Sequence, residues 1–190
     1  ALVAWLLTRR AVPAAVAAAV AVGLLAAVPS RPAVPRGSVA VTFLDVGKGD
    51  AALIHCRNGD HWLVDTAEAR AALGFGGLVP SLRDWGVTRL AGIVLTHADE
   101  DHVGGTLAVL RALPVGEIVT SCPAGDQEPL AALLAGLQGG PTRLTCRTAG
   151  DVLLPDCADD VTVLWPPPGV PLRRNAASLV FRLEAGGHSI

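Results

Sequence analysis

Residues 91–105 decide both the fold and the chemistry of this chain. They read Ala-Gly-Ile-Val-Leu-Thr-His-Ala-Asp-Glu-Asp-His-Val-Gly-Gly. The first six are small, apolar or β-branched, which is typical of a buried strand, and the glycine pair marks the start of a helix. Between them stand two histidines and three acids. Imidazoles and carboxylates at the end of a rigid strand are typical of a metal site, so metal-assisted hydrolysis is the first hypothesis.

The spacing within this loop sorts the candidate ligands into two pairs. His97 and Asp99 lie two apart on an extended stretch and can share one ion, whereas the adjacent Asp101 and His102 can turn toward a second. A solvated acidic loop with incidental histidines is the main alternative, but the strand before it and the glycines after it argue against that interpretation. A pair of catalytic carboxylates is a further alternative that would not require the histidines.

The patterns on both sides predict a sheet with helices packed on it. Three antiparallel strands are expected first, over 39–44, 51–56 and 61–65, with a hairpin at Asn58-Gly59 because that dipeptide favours the turn that matches strand twist. Further elements then alternate: helices over 78–85, 105–113 and 129–137, and strands over 93–96, 117–120, 142–147, 161–165 and 178–184. A last strand begins at His188, and we expect the domain to be truncated there.

The N-terminal region differs from the rest in composition. Residues 11–28 carry no charge, and as a helix they would span about 27 Å, enough to cross a bilayer. We therefore interpret residues 1–28 as the end of a membrane region, 29–37 as a Pro-rich extended linker and 38–190 as the folded domain. A secretory signal peptide and a soluble Ala-rich helix are the alternatives for 11–28.

Overall composition limits the possible partners. The chain contains no methionine, which predicts a piece of a longer, polytopic membrane protein, and its formal net charge is −2. That charge argues against binding nucleic acid through bulk charge, although a local basic strip would not appear in a total. An enzyme that handles a polyanion through metal ions needs less basic surface. The arginines on either side of the apolar segment balance, so charge leaves its orientation open.

The four cysteines lack the paired short spacing of a zinc knuckle or a redox motif. A structural role is the default interpretation. In an oxidising compartment the even number permits one or two disulfides, and Cys122 with Cys146 is the pair to test first.

Residues 96–105 resemble the metal-binding motif of the metallo-β-lactamase superfamily, whose usual form is H-x-H-x-D-H, here with Asp99 in place of the middle histidine. Residues 43–51 and 63–66 narrow the resemblance to the C-terminal metallo-β-lactamase-like domain of ComEC-family DNA-internalisation proteins. The resemblance covers roughly residues 39–190. It implies an α/β (α+β) fold, the αββα sandwich, here truncated in its C-terminal part and preceded by one transmembrane helix.

The resemblance also implies a two-metal centre. Carried over position by position, His97 and Asp99 would bind the first ion, and Asp101 and His102 the second. Asp101 would in addition orient the attacking water, which makes it the expected catalytic residue. Asp65 would be a supporting carboxylate that fixes a ligand, as metal sites commonly require.

The chemical types of the candidate ligands influence which metal is expected. Asp99 in place of a histidine makes the site harder, so the expected cofactors are two divalent ions, Mn²⁺ or Zn²⁺. Residues 175–178 stand where many relatives carry a further histidine, and four ligands are few for two ions. We therefore expect weak metal binding and little activity from this chain alone.

For five other polar residues, the sequence alone does not indicate a role as metal ligands. Asp45 and Asp50 match the family's loop, but nothing in the sequence alone puts either on a metal. His55, His61 and His188 are expected to have surface or hairpin roles.

The function implied by the resemblance is uptake of transforming DNA. The membrane part would form a channel and this domain would degrade the strand that is not imported. Expected partners are single-stranded DNA, the membrane and other DNA-uptake proteins. The expected location is the cell membrane, in a multi-pass protein with this domain outside the cytoplasm. Another metallo-β-lactamase-fold hydrolase of a small molecule and a non-catalytic DNA-guiding module are the alternatives.

Overall fold

The ligand-rich stretch follows a central strand of a six-stranded sheet. The computed structural model describes residues 16–17, 33–73, 76–122, 130–172 and 174–190. The sheet has the order β1-β2-β3-β4-β5-β6. Its strands are β1 Ala40–Phe43, β2 Ala52–His55, β3 His61–Val64, β4 Leu90–Val94, β5 Val115–Ser121 and β6 Arg143–Arg147. The first three pair antiparallel, as predicted, and β3 to β6 pair in parallel.

A second sheet of three antiparallel strands follows along the chain. It consists of β7 Asp160–Trp165, β8 Val180–Ala185 and β9 His188–Ser189. A 3-10 helix, Arg174–Ala177, precedes β8. The Leu179 N–H donates to the carbonyl of Thr96 at 2.7 Å, which brings the start of β8 to the end of β4.

Five α-helices lie among the described residues: α1 Ala69–Leu73, α2 Leu78–Asp84, α3 Glu100–Val103, α4 Thr106–Ala112 and α5 Leu130–Leu137. Helix α4 ends where Leu113 becomes extended (φ −140°, ψ 144°), because a residue before proline is disfavoured in the helical region. Helices α1 and α3 were not predicted. The one-turn α3 lies within the predicted loop, where Glu100 and Asp101 in its first turn complement the helix dipole.

Adjacent residues on the strands point into two separate apolar clusters. Leu53, Leu63 and Ile93 lie in a cluster with helix residues such as Leu82 and Val109. Their neighbours on the other face pack against the second sheet; this cluster includes Ile54, Trp62, Val94, Val161 and Leu183. The observed layers are therefore helices, first sheet and second sheet. The α/β prediction is confirmed, whereas no α-helix among the described residues contributes to a fourth layer.

Two disulfides join elements of the domain. Cys122–Cys146 links the ends of β5 and β6. It is the pair that we selected from the sequence as the first to test. Cys56–Cys157 links the residue after β2 to the segment before β7, and so connects the two sheets.

The predicted membrane segment falls almost entirely outside the described residues. Only residues 16 and 17 of the span 11–28 are described. Among the helices that are described, none combines the length and the hydropathy needed to cross a bilayer. The divisions at 1–28, 29–37 and 38–190 stay predictions.

Candidate metal centre

Main-chain hydrogen bonds hold the loops of the site together. The Asp50 N–H donates to the carbonyl of Asp101 at 3.2 Å, and the Ala67 N–H donates to the carbonyl of Asp50 at 3.0 Å. The Thr66 N–H donates to the carbonyl of His102 at 2.7 Å. Side chains that are distant in sequence are therefore fixed around one point at the carboxyl ends of β3 and β4.

This close approach depends on glycines. A Cβ atom on Gly49, whose φ is +94°, would overlap the carbonyl oxygen of Asp101, and one on Gly105 would overlap the carbonyl oxygen of Thr66. The loop after β1 and the turn between α3 and α4 can pack this tightly because neither position carries a side chain.

Backbone strain is also concentrated beside β3. Asp65 and Ala67 adopt positive φ angles of 57° and 58°. Non-glycine residues in this region typically cost about 1–3 kcal/mol each and persist only where surrounding contacts enforce them. Here the enforced conformation turns the Asp65 carboxylate toward the ligand loop.

The Asp65 carboxylate is buried, at 4% exposure, and it accepts three hydrogen bonds. Its Oδ1 accepts the Thr96 N–H at 2.8 Å. Its Oδ2 accepts the Thr96 hydroxyl at 2.6 Å and Nδ1–H of His102 at 2.8 Å. Both carboxylate oxygens are thus engaged in hydrogen bonds that position Thr96 and His102.

These bonds determine the tautomers of both imidazoles. The Thr96 hydroxyl has one hydrogen and donates it to Asp65, so at 3.0 Å from Nδ1 of His97 it can only accept. His97 therefore carries its proton on Nδ1, as His102 does opposite Asp65. Both rings are left with an Nε2 lone pair, the form in which neutral histidine binds a metal.

Both Nε2 atoms face carboxylates. Nε2 of His97 lies 3.7 Å from Oδ2 of Asp99, and Nε2 of His102 lies 3.6 Å from Oδ2 of Asp50. Such separations are too long for hydrogen bonds. They are close to the roughly 3.0–3.6 Å expected between two atoms that each lie about 2.1 Å from one ion. The donor set therefore fits divalent cations.

Electrostatics at the site also favours a cation. The hydrogen bond to Asp65 raises the pKa of His102 above its ordinary value; burial opposes this shift, and the charges of Asp65, Asp101 and Asp50 add to it. The acids thus attract positive charge to Nε2 of His102, where a proton and a metal ion would compete.

The structure brings together most, but not all, of the predicted site residues. Within the described part of the chain, one group could hold a metal through three residues, Asp65, His97 and His102, whose donor atoms lie within 4.8 Å of one another. Asp99 lies beside His97. The Asp101 carboxylate makes no hydrogen bond or ion pair in that part of the chain, and it acts on His102 through its charge. The roles assigned to these residues stay predictions.

Asp50 is the site residue that sequence reasoning did not assign. Its carboxylate is 80% exposed, and its Oδ2 lies 3.6 Å from Nε2 of His102, although neither predicted ligand pair includes Asp50. The signal that could have found it was its position in the glycine-containing loop that resembles the family, but its distance from His102 cannot be read from a sequence. Asp45, at the start of the same loop, is exposed.

Residues 175–178 contain no histidine, although the resemblance implies one there; they lead directly into Leu179 and therefore lie beside Thr96. The spare histidines lie elsewhere. His55 and His61 flank the hairpin as predicted, although His55 is buried, and His188 is exposed on β9.

Comparison with known proteins gives the same fold and points to one group of relatives. A family model described as the metallo-beta-lactamase superfamily matches residues 44–124. Competence protein ComA of Neisseria gonorrhoeae is 46% identical over 91 residues, which are 48% of this chain and 13% of that protein. ComE operon protein 3 of Bacillus subtilis (strain 168) is 29% identical over 171 residues, covering 78% of this chain and 21% of that protein.

The chain thus spans 13% and 21% of the length of these curated relatives. Among solved structures, a mutant of the metallo-beta-lactamase from Legionella gormanii superposes with a TM-score of 0.53 at 13% identity, covering 86% of this chain and 63% of that one. At this identity the likeness concerns the fold alone.

Proposed function

Since the chain belongs to the ComEC family and carries its metallo-β-lactamase-like domain, we propose that it is the metal-dependent hydrolase domain of a membrane DNA-uptake protein. Its substrate is single-stranded DNA, and its reaction is phosphodiester hydrolysis of the strand that is not imported. The observation that carries the proposal is the pair of imidazoles whose Nε2 atoms face Asp99 and Asp50 at 3.7 and 3.6 Å.

The proposed cofactors are two divalent ions, Mn²⁺ or Zn²⁺. His97 and Asp99 bind the first, and His102 with Asp101 binds the second, where Asp50 lies close enough to contribute. When bound, the ions would polarise a phosphodiester and lower the pKa of the bound water to about 7. A set of imidazoles and carboxylates is compatible with either metal.

The chain's own residues have distinct tasks in this proposal. Asp65 and Thr96 keep the proton of each imidazole on Nδ1, so that Nε2 stays available. Asp101 orients the attacking water. The acids of the site would repel phosphate groups in the absence of cations, so the ions also allow the polyanionic strand to approach.

The experiment measures degradation of single-stranded DNA in the presence of Mn²⁺ or Zn²⁺, by this chain and by any longer natural protein that contains it. We expect Asp101→Ala to lower the rate at least a hundredfold. Glu100→Ala is the matched control, because it removes the same charge from the neighbouring position of α3, and it should retain the rate. Equal rates in the Asp101→Ala protein and the unaltered protein would refute metal-dependent hydrolysis at this site.

One observation favours a second candidate, a non-catalytic module that guides DNA. Residues 175–178 contain no histidine, and the group that could hold a metal in the described residues has three members. Stoichiometric metal binding and DNA binding without cleavage would favour this candidate. Hydrolysis of a thioester or lactam, with DNA left intact, would instead favour a small-molecule hydrolase.

We also propose that the domain lies outside the cytoplasm of a multi-pass membrane protein and works with other DNA-uptake proteins. The two disulfides support this location, because disulfides persist in oxidising compartments. An impermeant thiol reagent applied to intact cells should label Cys122 only after reduction. Labelling that requires cell lysis, with or without reductant, would contradict the proposed location.

A further inference from the structure

Two histidines outside the candidate centre stand opposite each other on the β2–β3 hairpin. His55 and His61 are register partners. The neighbouring pair is hydrogen-bonded, since the Cys56 N–H donates to the carbonyl of Asp60 at 2.8 Å. His55 and His61 therefore form a non-hydrogen-bonded pair, the kind in which opposite side chains come closest.

This pair is remote from the candidate centre. His61 begins β3 and Asp65 follows its end, so the two are separated by four residues of extended chain, roughly 13 Å. A ligand held by the histidine pair would therefore occupy a separate site.

His55 is buried, and one of its ring nitrogens lacks a hydrogen-bond partner. The residue is 6% exposed, and its buried Nε2 has no hydrogen-bond partner. Buried polar atoms without a partner are rare in folded proteins. A cavity of about 360 Å³ opens at the pair, between residues 34–38 and the hairpin residues 55–61. It leaves room for an ion with water molecules.

Both imidazoles favour the neutral state that metal binding requires. Burial lowers the pKa of His55, and the charge of His61 lowers it further. Burial also lowers the pKa of His61, although Asp60 opposes the shift and Arg89 adds to it.

The ring geometry matches shared coordination. The ring centres of His55 and His61 are 5.0 Å apart, with planes at 78°. Two imidazoles that bind one tetrahedral ion through nitrogens about 2.0–2.1 Å away have ring centres roughly 5 Å apart.

We propose that His55 and His61 form a second metal site, which binds one divalent transition-metal ion of the class that imidazole prefers, such as Zn²⁺, Ni²⁺ or Cu²⁺. Water from the cavity completes the coordination. The site ties β2 to β3 near their turn, and it does not depend on the function proposed for the centre at His97 and His102.

The test uses Cu²⁺ as the probe and a His97→Gln/His102→Gln background, in which binding at the candidate centre is weakened. Adding His61→Gln should lower the remaining Cu²⁺ affinity at least tenfold and remove one nitrogen from the hyperfine pattern in electron paramagnetic resonance. Adding His188→Gln, which changes an exposed histidine on β9, should leave both readouts unchanged. Affinity and hyperfine pattern that are the same with and without His61→Gln would overturn the proposal.

A second measurement on the unaltered protein covers the case in which the background variant does not fold. Substoichiometric Cu²⁺ should broaden the ring-proton NMR signals of His55 and His61 as well as those of the candidate centre. Broadening confined to His97 and His102 would overturn the proposal.

Discussion

The Asp65 side chain organises the candidate centre without facing it as a free ligand. Its oxygens accept the Thr96 N–H, the Thr96 hydroxyl and the Nδ1–H of His102, and Thr96 transmits the same constraint to His97. One carboxylate thus sets the tautomers of two imidazoles. The positive φ of Asp65 is the backbone conformation in which it reaches both.

We expect Asp65→Asn to weaken metal binding by about 10–100-fold, the usual effect of losing a carboxylate that supports a metal-binding histidine. The amide also removes the hydrogen bond and charge that raise the pKa of His102, so this pKa should fall. Metal titration and NMR titration of the imidazole measure the two effects. Asp151→Asn, in the turn where this aspartate accepts the Thr148 N–H, is the control. Unchanged affinity and pKa in Asp65→Asn would contradict this role.

At the scale of elements, the site exists because three loops dock on one another at the ends of β3 and β4. The loops contact one another through main-chain atoms, and glycines at the contact points allow this close approach. Helix α3 contributes by turning His102 back toward Asp65. Asp99 is extended at its N-terminus (φ −68°, ψ 143°), and the Asp99 side chain makes no capping hydrogen bond.

Substitutions of Gly49 and of Gly47 should therefore separate two energetic costs: that of disturbing the contact between the loops and that of a positive φ in a residue other than glycine. Gly49→Ala places a Cβ against the carbonyl oxygen of Asp101, whereas Gly47, with φ +79°, has nothing within 4 Å. We expect Gly47→Ala to lower the free energy of unfolding by about 1 kcal/mol and Gly49→Ala to lower it by roughly 2–4 kcal/mol, because overlap adds to strain. Metal affinity should fall in Gly49→Ala alone. Urea unfolding and metal titration measure this, and equal effects of the two substitutions would refute the docking argument.

The β2–β3 hairpin gives a pH dependence with a definite sign. The pKa values of His55 and His61 are lowered, mainly by burial, so between these values and the ordinary 6.5 the unfolded chain binds more protons than the folded one. The stability that they contribute is present above pH 6.5 and is lost as pH falls through the folded values. His102, whose pKa is raised, acts in the opposite direction in metal-free protein.

The measurement compares urea unfolding of metal-free protein at pH 7.5 and 5.5. Relative to the unaltered protein, His55→Gln/His61→Gln should lose less stability between the two pH values, since neither glutamine titrates. His188→Gln should behave like the unaltered protein. An acid-induced loss that is the same in all three would show that the hairpin histidines do not contribute.

The sequence predicted the elements well where local signals and burial agree. The Asn58-Gly59 turn and the apolar runs located the strands, and Pro114 located the end of α4. It missed α3 because four residues rich in charge have no apolar period, and that helix depends on contacts with Asp65 and Thr66. Asp50 was not assigned for a similar reason: its distance from His102 results from main-chain docking between loops that are far apart in sequence.

At the scale of the molecule, two apolar clusters stabilise the fold on opposite faces of the first sheet. Cys56 and Cys157 lie in the second cluster and are both buried, so their disulfide connects the two sheets from within the core. The Cys122–Cys146 disulfide joins adjacent strands of one sheet. The first therefore constrains contacts between layers, and the second reinforces a pairing that the ladder already makes.

We expect the two disulfides to differ in their effect on stability. Cys56 and Cys157 are 101 residues apart, and Cys122 and Cys146 are 24 apart; in the chain-entropy model a loop of about 100 residues contributes about 4.7 kcal/mol, and one of about 25 residues contributes roughly 3.5 kcal/mol. Replacing Cys56 and Cys157 by alanine should therefore lower the free energy of unfolding by more than replacing Cys122 and Cys146. Urea unfolding of both double variants, with and without reductant, measures the difference. Reductant should bring the unaltered protein below either variant in non-reducing buffer. If the Cys122/Cys146 variant is the less stable of the two, closure of the longer loop is not what stabilises the contact between the sheets.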